Sequence, residues 1–206
     1  MIYQIYCNND ELKYTNDNII AVHNTCTDKH LGELGAWHDI YTDVKAHNYT
    51  SIGIYQARRA FHKNLRILTD DDFEVNDTSV YVAQYNFNNE TLIKHFTTCH
   101  PNYVELFKKC IPAEYKQYLT LRTMYPHNML YCTANTFFKL YKFLFDVYTA
   151  NNFSDININD KFFSFISERL ITFWLLANNM HIKVCNVLTY DKHTNKVVHT
   201  INGVER

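Results

Sequence analysis

The sequence has little glycine, little proline and no excess of either charge. Only 4 Gly and 3 Pro occur among 206 residues, which excludes collagen-like chains and long disordered linkers. The formal net charge is −1, from 20 basic and 21 acidic residues. Proteins that bind a nucleic-acid backbone normally carry a basic excess, because neutralising phosphates supplies most of their affinity. The composition therefore predicts that nucleic acid is not a partner.

Close cysteine pairs and long apolar runs are also missing. The six cysteines have neither the spacing of a zinc knuckle nor that of a redox pair, which favours reduced thiols. No apolar run approaches the ~20 residues that a membrane-spanning helix needs. The apolar start, residues 1–7, is too short for a signal peptide. We therefore expect a soluble, cytoplasmic protein without a membrane span.

Apolar and aromatic residues, in contrast, are plentiful. At 47% hydrophobic and 16% aromatic content, the chain can bury the core of a single domain. Short β-prone runs alternate with stretches of three- and four-residue apolar periodicity, which favours an α/β fold around one sheet. The runs predict strands at 2–6, 19–22, 49–55, 65–68, 80–82, 129–132 and 182–188, the last followed by a polar tail. The periodicity predicts helices at 31–44, 135–148 and 160–178, with further helical segments from 91 onward and after Pro112.

Five stretches occur in an order that resembles a known family. They are 17–20 (DNII), 32–38 (GELGAWH), 51–61 (SIGIYQARRAF), 127–132 (HNMLYC) and 167–175 (SERLITFWL). In this order they resemble the capsular-polysaccharide glycosyltransferases of bacterial surface-glycan clusters, and similar domains of large DNA viruses. The family's His-Tyr before the paired arginines reads Gln56-Ala57 here, and its Thr after Glu-Leu reads Gly35, so those two features of the family are lost or replaced.

The resemblance implies a fold and a reaction. The fold would be a GT-A-like single domain over 1–206, with a mixed central β-sheet flanked by α-helices. Its nucleotide-binding half would cover about 1–125 and its acceptor-binding half about 126–206. The reaction would move a sugar from a nucleotide-sugar donor, by default a UDP-sugar, to a glycan acceptor. In a virus it would take place in the host cytoplasm.

A divalent metal, Mn²⁺ or Mg²⁺, is the expected cofactor, because the leaving nucleoside diphosphate concentrates negative charge. Such hard cations prefer carboxylate and phosphate oxygens. The densest carboxylate group is 70–72, so Asp70 and Asp72 are candidate ligands, with His193 or His199 as a third. The alternative is an ordinary helix cap, since Thr69 followed by aspartates is a helix-start signal.

Arg58 and Arg59 are the candidate cations for the donor diphosphate, because guanidinium groups contact phosphate oxygens in pairs. Alternatively, one of them pairs with a carboxylate such as Glu33 or Asp39. By resemblance, the donor site also takes in Tyr6, Cys7, Asn8, Tyr55, Gln56 and Asn128.

Glu168 is the first candidate for a catalytic base, since a carboxylate within an apolar helix is costly to bury unless it is paired or used. An enzyme that inverts configuration needs such a base. Arg169 points about 100° away around the helix and is an imperfect partner. The structural alternative is that Glu168 holds Arg58 or Arg59. Glu33 and Asp39 are second choices for the base.

Two other functions stay open at the level of sequence. A non-catalytic nucleotide- or glycan-binding domain on the same fold is suggested by the altered Gln56-Ala57 pair. A different α/β enzyme, such as a nucleotidyltransferase or hydrolase, is the third possibility. The sequence has neither a Gly-x-x-x-x-Gly-Lys loop nor a Gly-x-Ser-x-Gly elbow, which removes support for P-loop NTPases and α/β-hydrolases.

Overall fold

A computed structural model describes residues 1–7, 14, 17–151, 153, 161–191, 193–194, 196–201 and 204–205, with the backbone alone for 199–201 and 204–205. Strands and helices are mixed along the chain, as the α/β prediction requires. The strands are β1 (Ile2–Tyr6), β2 (Ile19–His23), β3 (Ser51–Gln56), β4 (Arg59–Lys63), β5 (Arg66–Ile67), β6 (Ser79–Val82), β7 (Tyr85–Asn86), β8 (Thr123–Met124), β9 (Leu130–Thr133), β10 (His181–Val184), β11 (Asn186–Asp191), β12 (Lys196–Ile201) and β13 (Val204–Glu205). The α-helices are α1 (Trp37–His47), α2 (Leu92–Cys99), α3 (Val104–Cys110), α4 (Ala134–Ala150) and α5 (Phe162–Ala177), and 3₁₀ helices cover Gly32–Ala36, Asp70–Asp72, Pro101–Tyr103 and Ala113–Thr120.

One curled, mixed sheet organises the fold. β1 lies between β2 and β3 and is parallel to both. Beyond β3 the order continues through β9, β6 and β10, with β9 antiparallel to its two neighbours and β10 parallel to β6. At the end of β3 the sheet passes into a second ladder of β4, β11, β12 and β13, all antiparallel. The prediction of a mixed central sheet flanked by helices is confirmed.

The two faces of β3 enter two different apolar cores, because side chains alternate along a strand. Ile52 and Ile54 face the larger core, where α1, α4 and α5 cover the sheet. Tyr55 faces the smaller core, together with Phe61 and Tyr131. Helix α4 begins at an N-cap, Thr133, whose side chain accepts a hydrogen bond from the backbone of Thr136 at 3.2 Å.

Several elements differ from the predicted ones. The helix predicted over 31–44 begins as the 3₁₀ helix Gly32–Ala36 and becomes α-helical at Trp37. The segment after Pro112 is a 3₁₀ helix, Ala113–Thr120. The predicted strand 182–188 is two strands that meet at Cys185, and the polar tail contributes β12 and β13. In the described part of the chain, no helix combines the length and apolarity needed to cross a membrane.

Candidate functional site

Polar and charged side chains gather where the parallel strands β1 and β3 end. In open α/β sheets, ligands bind beyond the carboxyl ends of the strands. β3 ends at Gln56, which is 6% exposed, and β4 begins at Arg59 after a two-residue turn. The candidate site therefore lies at this edge of the sheet.

Glu33 reaches the site on the 3₁₀ helix Gly32–Ala36, which packs tightly between two neighbours. Gly32 has a φ of +54°, and a Cβ there would stand 2.8 Å from the Cβ of Lys161 and 2.9 Å from that of Ser164. A Cβ at Gly35 would stand 2.4 Å from the Cβ of Cys26. Only glycine fits these two positions, so Gly35 is explained by its close approach to the loop after β2.

Gln56 connects three parts of the site through its side chain. Its Nε2 donates to Oε2 of Glu33 at 2.7 Å and also to the backbone carbonyl of His127. Its Oε1 accepts a hydrogen bond from Arg59 at 2.5 Å. The carbonyls of Gln56 and Ala57 both accept from Nε2 of Gln4, at 3.1 Å each, which fixes the end of β3.

The turn that precedes β9 has an unusual backbone. His127 and Asn128 have φ angles of 75° and 50°, so two successive non-glycine residues are left-handed. Helix α5 holds the turn in place: Glu168 Oε1 accepts from the His127 backbone N–H at 2.9 Å. The Asn128 side chain donates to Ser164 Oγ at 3.2 Å and accepts from Ser167 Oγ at 2.9 Å. Asn128 is 2% exposed, so its side chain anchors the turn to α5.

Glu168 pairs with its sequence neighbour Arg169. Arg169 Nη1 lies 2.7 Å from Glu168 Oε2, and the two side chains are only 2% and 17% exposed. The prediction that Arg169 is an imperfect partner is wrong, as is the alternative that Glu168 holds Arg58 or Arg59. The pairing forms because the Arg169 side chain folds back along α5, where Nη1 also donates to the Phe165 carbonyl at 2.8 Å.

Burial and neighbouring charges shift the pKa of Glu33. Burial raises the pKa of Glu33, and the nearby carboxylate of Glu168 also raises it. Lys161, Arg59 and Arg58 oppose that shift, so three cations lie close enough to interact with the charge of Glu33. Glu33 Oε1 accepts no hydrogen bond within the described part of the chain.

The imidazole of His127 is held neutral. Burial lowers its pKa well below the usual value, and the guanidinium groups of Arg59 and Arg169 lower it further. The site therefore combines two carboxylates, several fixed cations and a neutral imidazole.

Of the other predicted donor residues, Tyr6 and Cys7 lie at the same edge of the sheet, because Ile5 pairs with Gln56, whereas Tyr55 faces away from it. Tyr6 ends β1 with its ring stacked on that of His23, the centroids being 5.0 Å apart, and Cys7 follows it, exposed. Asn8 lies outside the described residues. Tyr55 is fully buried and donates its hydroxyl to the Leu68 carbonyl at 3.0 Å. Its side chain therefore lies in the smaller core, on the opposite face of β3 from Gln56.

Asp70 and Asp72 lie away from the site. Asp70 forms an ion pair with the amino group of Met1 and accepts a hydrogen bond from Tyr131 at 2.7 Å. Met1 also donates to the Ser51 carbonyl, which places Asp70 at the amino ends of β1 and β3. Gln56 lies five residues after Ser51 in β3, which is about 16 Å at the rise of an extended strand.

The helix-cap alternative for residues 70–72 is confirmed. Thr69 and Asp72 form a capping box on a short 3₁₀ helix. Asp72 also binds Arg66 through both carboxylate oxygens, at 2.9 and 2.5 Å. These carboxylates are therefore occupied by protein groups.

The other metal and base candidates lie on β12, in the β11–β12 turn and on α1. His199 lies in β12, opposite Leu188 of β11, and its side chain is outside the described part. His193 lies in the β11–β12 turn, where its backbone donates to Asp191. No cluster of three or more His, Cys, Asp or Glu side chains suited to a metal forms among the described residues. Asp39 is exposed on α1 and lines a separate recess of about 440 Å³ beside β2.

Sequence reasoning overlooked three residues of the site. His127 was part of a recognised stretch but had no assigned role, and Lys161 directly precedes α5. The direction of Arg169 around the helix suggests that it cannot pair with Glu168, but a long side chain can fold back along the helix. The family-like stretches include His127 and Arg169, whereas Lys161 lies outside all of them.

Comparisons with known proteins show the fold. No protein-family model and no curated protein sequence matches the chain. The structure is similar to a solved structure described as an apo bifunctional glycosyltransferase, WbbM, with a TM-score of 0.69 and 13% sequence identity. The similarity covers 99% of this chain and 45% of that one, so the chain spans less than half the length of this neighbour. The chain therefore has a mixed α/β fold that a glycosyltransferase also adopts.

Proposed function

We propose that the protein is a glycosyltransferase that moves a sugar from a nucleotide-sugar donor, by default a UDP-sugar, to a glycan acceptor. The observation that carries the proposal is the cluster at the carboxyl ends of β1 and β3. There, Arg58, Arg59 and Lys161 lie close enough to interact with the charge of Glu33, next to a turn whose left-handed backbone is held by Glu168. The fold shared with a glycosyltransferase supports the same conclusion.

The cations suit the charge that develops in such a reaction. When the bond between the sugar and the diphosphate breaks, negative charge moves onto the leaving diphosphate. Fixed guanidinium groups stabilise that charge through bidentate hydrogen bonds to phosphate oxygens. Arg58 and Arg59 lie at the edge of the sheet where a diphosphate would enter, and Lys161 adds a third positive charge.

Glu33 is the better placed base of the two candidates. Both oxygens of Glu168 accept protein hydrogen bonds, whereas Oε1 of Glu33 accepts none in the described structure. The raised pKa of Glu33 also brings it closer to neutral pH, where a general base is most effective. In an inverting reaction, Glu33 takes the proton of the acceptor hydroxyl while the hydroxyl oxygen bonds to the sugar and the nucleoside diphosphate leaves. Glu168 then acts by positioning His127.

Divalent-metal dependence stays a prediction of the sequence. The carboxylates proposed to hold Mn²⁺ or Mg²⁺, Asp70 and Asp72, do not fit that role, because both bind protein groups at the opposite end of the sheet. The proposed roles of Glu33 and of the cationic side chains therefore do not depend on these two aspartates.

Calorimetric titration with UDP, GDP and CMP, each with and without Mn²⁺, tests the proposal. We expect one of the three nucleotides to bind, and the Mn²⁺ arm decides whether a metal takes part. A panel of sugar nucleotides is then incubated with the protein and the release of free nucleoside diphosphate is measured. The absence of nucleotide binding in every condition would contradict the proposal.

The second candidate is a non-catalytic nucleotide- or glycan-binding domain on the same fold. It is favoured by the engagement of both Glu168 oxygens and by Gln56-Ala57, where the resembling family has His-Tyr. Such a domain would bind a nucleotide or a glycan without releasing nucleoside diphosphate from any sugar nucleotide. Donor turnover therefore separates the two functions.

A further inference from the structure

Gln56 lies at the centre of the candidate site and bonds to three elements at once. Its Nε2 donates to Glu33 on the 3₁₀ helix and to the His127 carbonyl of the left-handed turn. Its Oε1 accepts from Arg59 at the start of β4. The side chain is 6% exposed, so water does not replace these contacts easily.

The network fixes the orientation of this amide. An amide nitrogen offers two N–H donors, and its oxygen only accepts. With the amide reversed, its oxygen would face the Glu33 carboxylate and the His127 carbonyl, and its N–H groups would face the Arg59 guanidinium. Every contact would then join two acceptors or two donors, so only the observed orientation satisfies the site.

Gln56 places a neutral side chain between two charged groups. Gln56 lies between Glu33 and Arg59, and no ion pair joins those two side chains in the described structure. A direct Glu33–Arg59 pair would neutralise both groups. The amide bonds to each of them and keeps them apart, so that the carboxylate and the guanidinium keep separate roles.

The same amide also supports the strained turn. His127 donates its backbone N–H to Glu168 and accepts at its carbonyl from Gln56, so its peptide groups are held from both sides. Two successive left-handed residues are unfavourable and persist only when the surrounding structure holds them. Gln56 therefore helps to hold the turn as well as the two charged groups.

We propose that Gln56 is a positioning residue, a neutral bridge that holds Glu33, Arg59 and the His127 peptide in the arrangement needed for donor binding and transfer. This inference rests on the proposed glycosyltransferase function. It explains why a residue that departs from the resembling family still lies at the centre of the site. The bridge requires a side chain of this length with both donors and an acceptor.

Two variants of this position test the proposal. Gln56→Glu keeps the shape but removes both donors, places a carboxylate against Glu33 and offers Arg59 a competing anion. Gln56→Met keeps the approximate length and the neutrality but removes every hydrogen bond. The control, Gln117→Glu, makes the same charge change on the exposed 3₁₀ helix Ala113–Thr120.

The measurements are the Kd of whichever of UDP, GDP and CMP the wild type binds, and the melting temperature of each variant. We expect affinity to fall in the order wild type, Gln56→Met, Gln56→Glu, with a loss of about tenfold or more for Gln56→Glu. Gln117→Glu should bind like the wild type. A purely structural role predicts instead that affinity falls in parallel with the melting temperature, whichever variant is the less stable.

The outcomes separate this inference from the function on which it rests. If the wild type binds no nucleotide, the proposed function fails and the inference with it. If the wild type binds but Gln56→Glu binds equally well, or if affinity merely follows thermal stability, the positioning role is refuted while the proposed function stands. Should Gln56→Glu fail to fold, the affinity and melting temperature of Gln56→Met decide between the two roles.

Discussion

The ion pair between Glu168 and Arg169 is almost completely removed from solvent, so breaking it should be costly. Arg169 is 2% exposed at its side chain and lies over the ring of Phe96, 5.1 Å from the centroid. In Glu168→Ala, the guanidinium keeps only the Phe165 carbonyl as an acceptor in the described structure. Removing one partner of a buried pair costs about 3–5 kcal/mol, because an uncompensated charge stays buried.

The expected change is large enough to measure by thermal unfolding. In a chain of this size, 1 kcal/mol corresponds to about 2–4 °C, so Glu168→Ala should melt about 6–20 °C below the wild type. The matched control is Glu105→Ala, which removes the partner of Lys108 from an exposed pair in which Glu105 is 86% exposed. Exposed pairs contribute about 0–1 kcal/mol, so that variant should melt within a few degrees of the wild type.

A double variant distinguishes a buried charge from lost packing. In Glu168→Ala combined with Arg169→Met, no charge is left buried, so the double variant should be more stable than Glu168→Ala alone. The reasoning is refuted if Glu168→Ala melts as high as the Glu105→Ala control. It is also refuted if the double variant is no more stable than Glu168→Ala alone.

Three further predictions concern individual charges. Glu33→Gln should raise the melting temperature at pH 7, because burial raises the pKa of Glu33 and the wild type is most stable where that carboxyl is protonated. When melting is measured at decreasing pH, the gain in melting temperature should vanish as the pH approaches the unfolded-state pKa of ~4.3. Arg59→Met should weaken nucleotide binding by about tenfold or more in calorimetry, whereas Arg66→Met, at an exposed arginine, should leave the Kd unchanged. Asp72→Asn should lose about 1 kcal/mol at pH 7, because it weakens a capping box. Arg66 lowers the pKa of Asp72 to about 2, so the difference between the wild type and Asp72→Asn should disappear as pH falls toward that value, and a pH-independent difference would contradict it.

The sequence predicted the elements whose signals are local. Apolar periodicity identified α4 and α5, and β-branched or aromatic runs identified β1, β3 and β9, because each pattern follows from how one element buries one face. The order of the family-like stretches also indicated an α/β fold with a mixed sheet, which the structure confirms. The sequence also predicts Gln56, Glu33 and Glu168 as site residues, and their roles stay predictions.

Pairings across the chain were decided only by the tertiary structure. Residues 182–188 have the pattern of one strand, yet β10 pairs with β6 and β11 pairs with β4, since a short apolar run does not specify its partners. β12 was not predicted, although it contains Val197, Val198 and Ile201, because the segment around it reads as a polar tail.

The same limit applies to the site. The sequence shows that a carboxylate such as Glu168 lies in an apolar helix, but not which cation approaches it, because side-chain direction depends on neighbouring packing. It likewise shows three adjacent aspartates at 70–72 without showing that Asp70 lies near the amino ends of β1 and β3, at the end opposite Gln56. Composition and periodicity thus determined β1, β3 and β9 of the sheet and the covering helices α4 and α5. The folding of β1, β3, the 3₁₀ helix and α5 onto one another determined which charges meet, because these residues are far apart in sequence and only long-range packing brings them together.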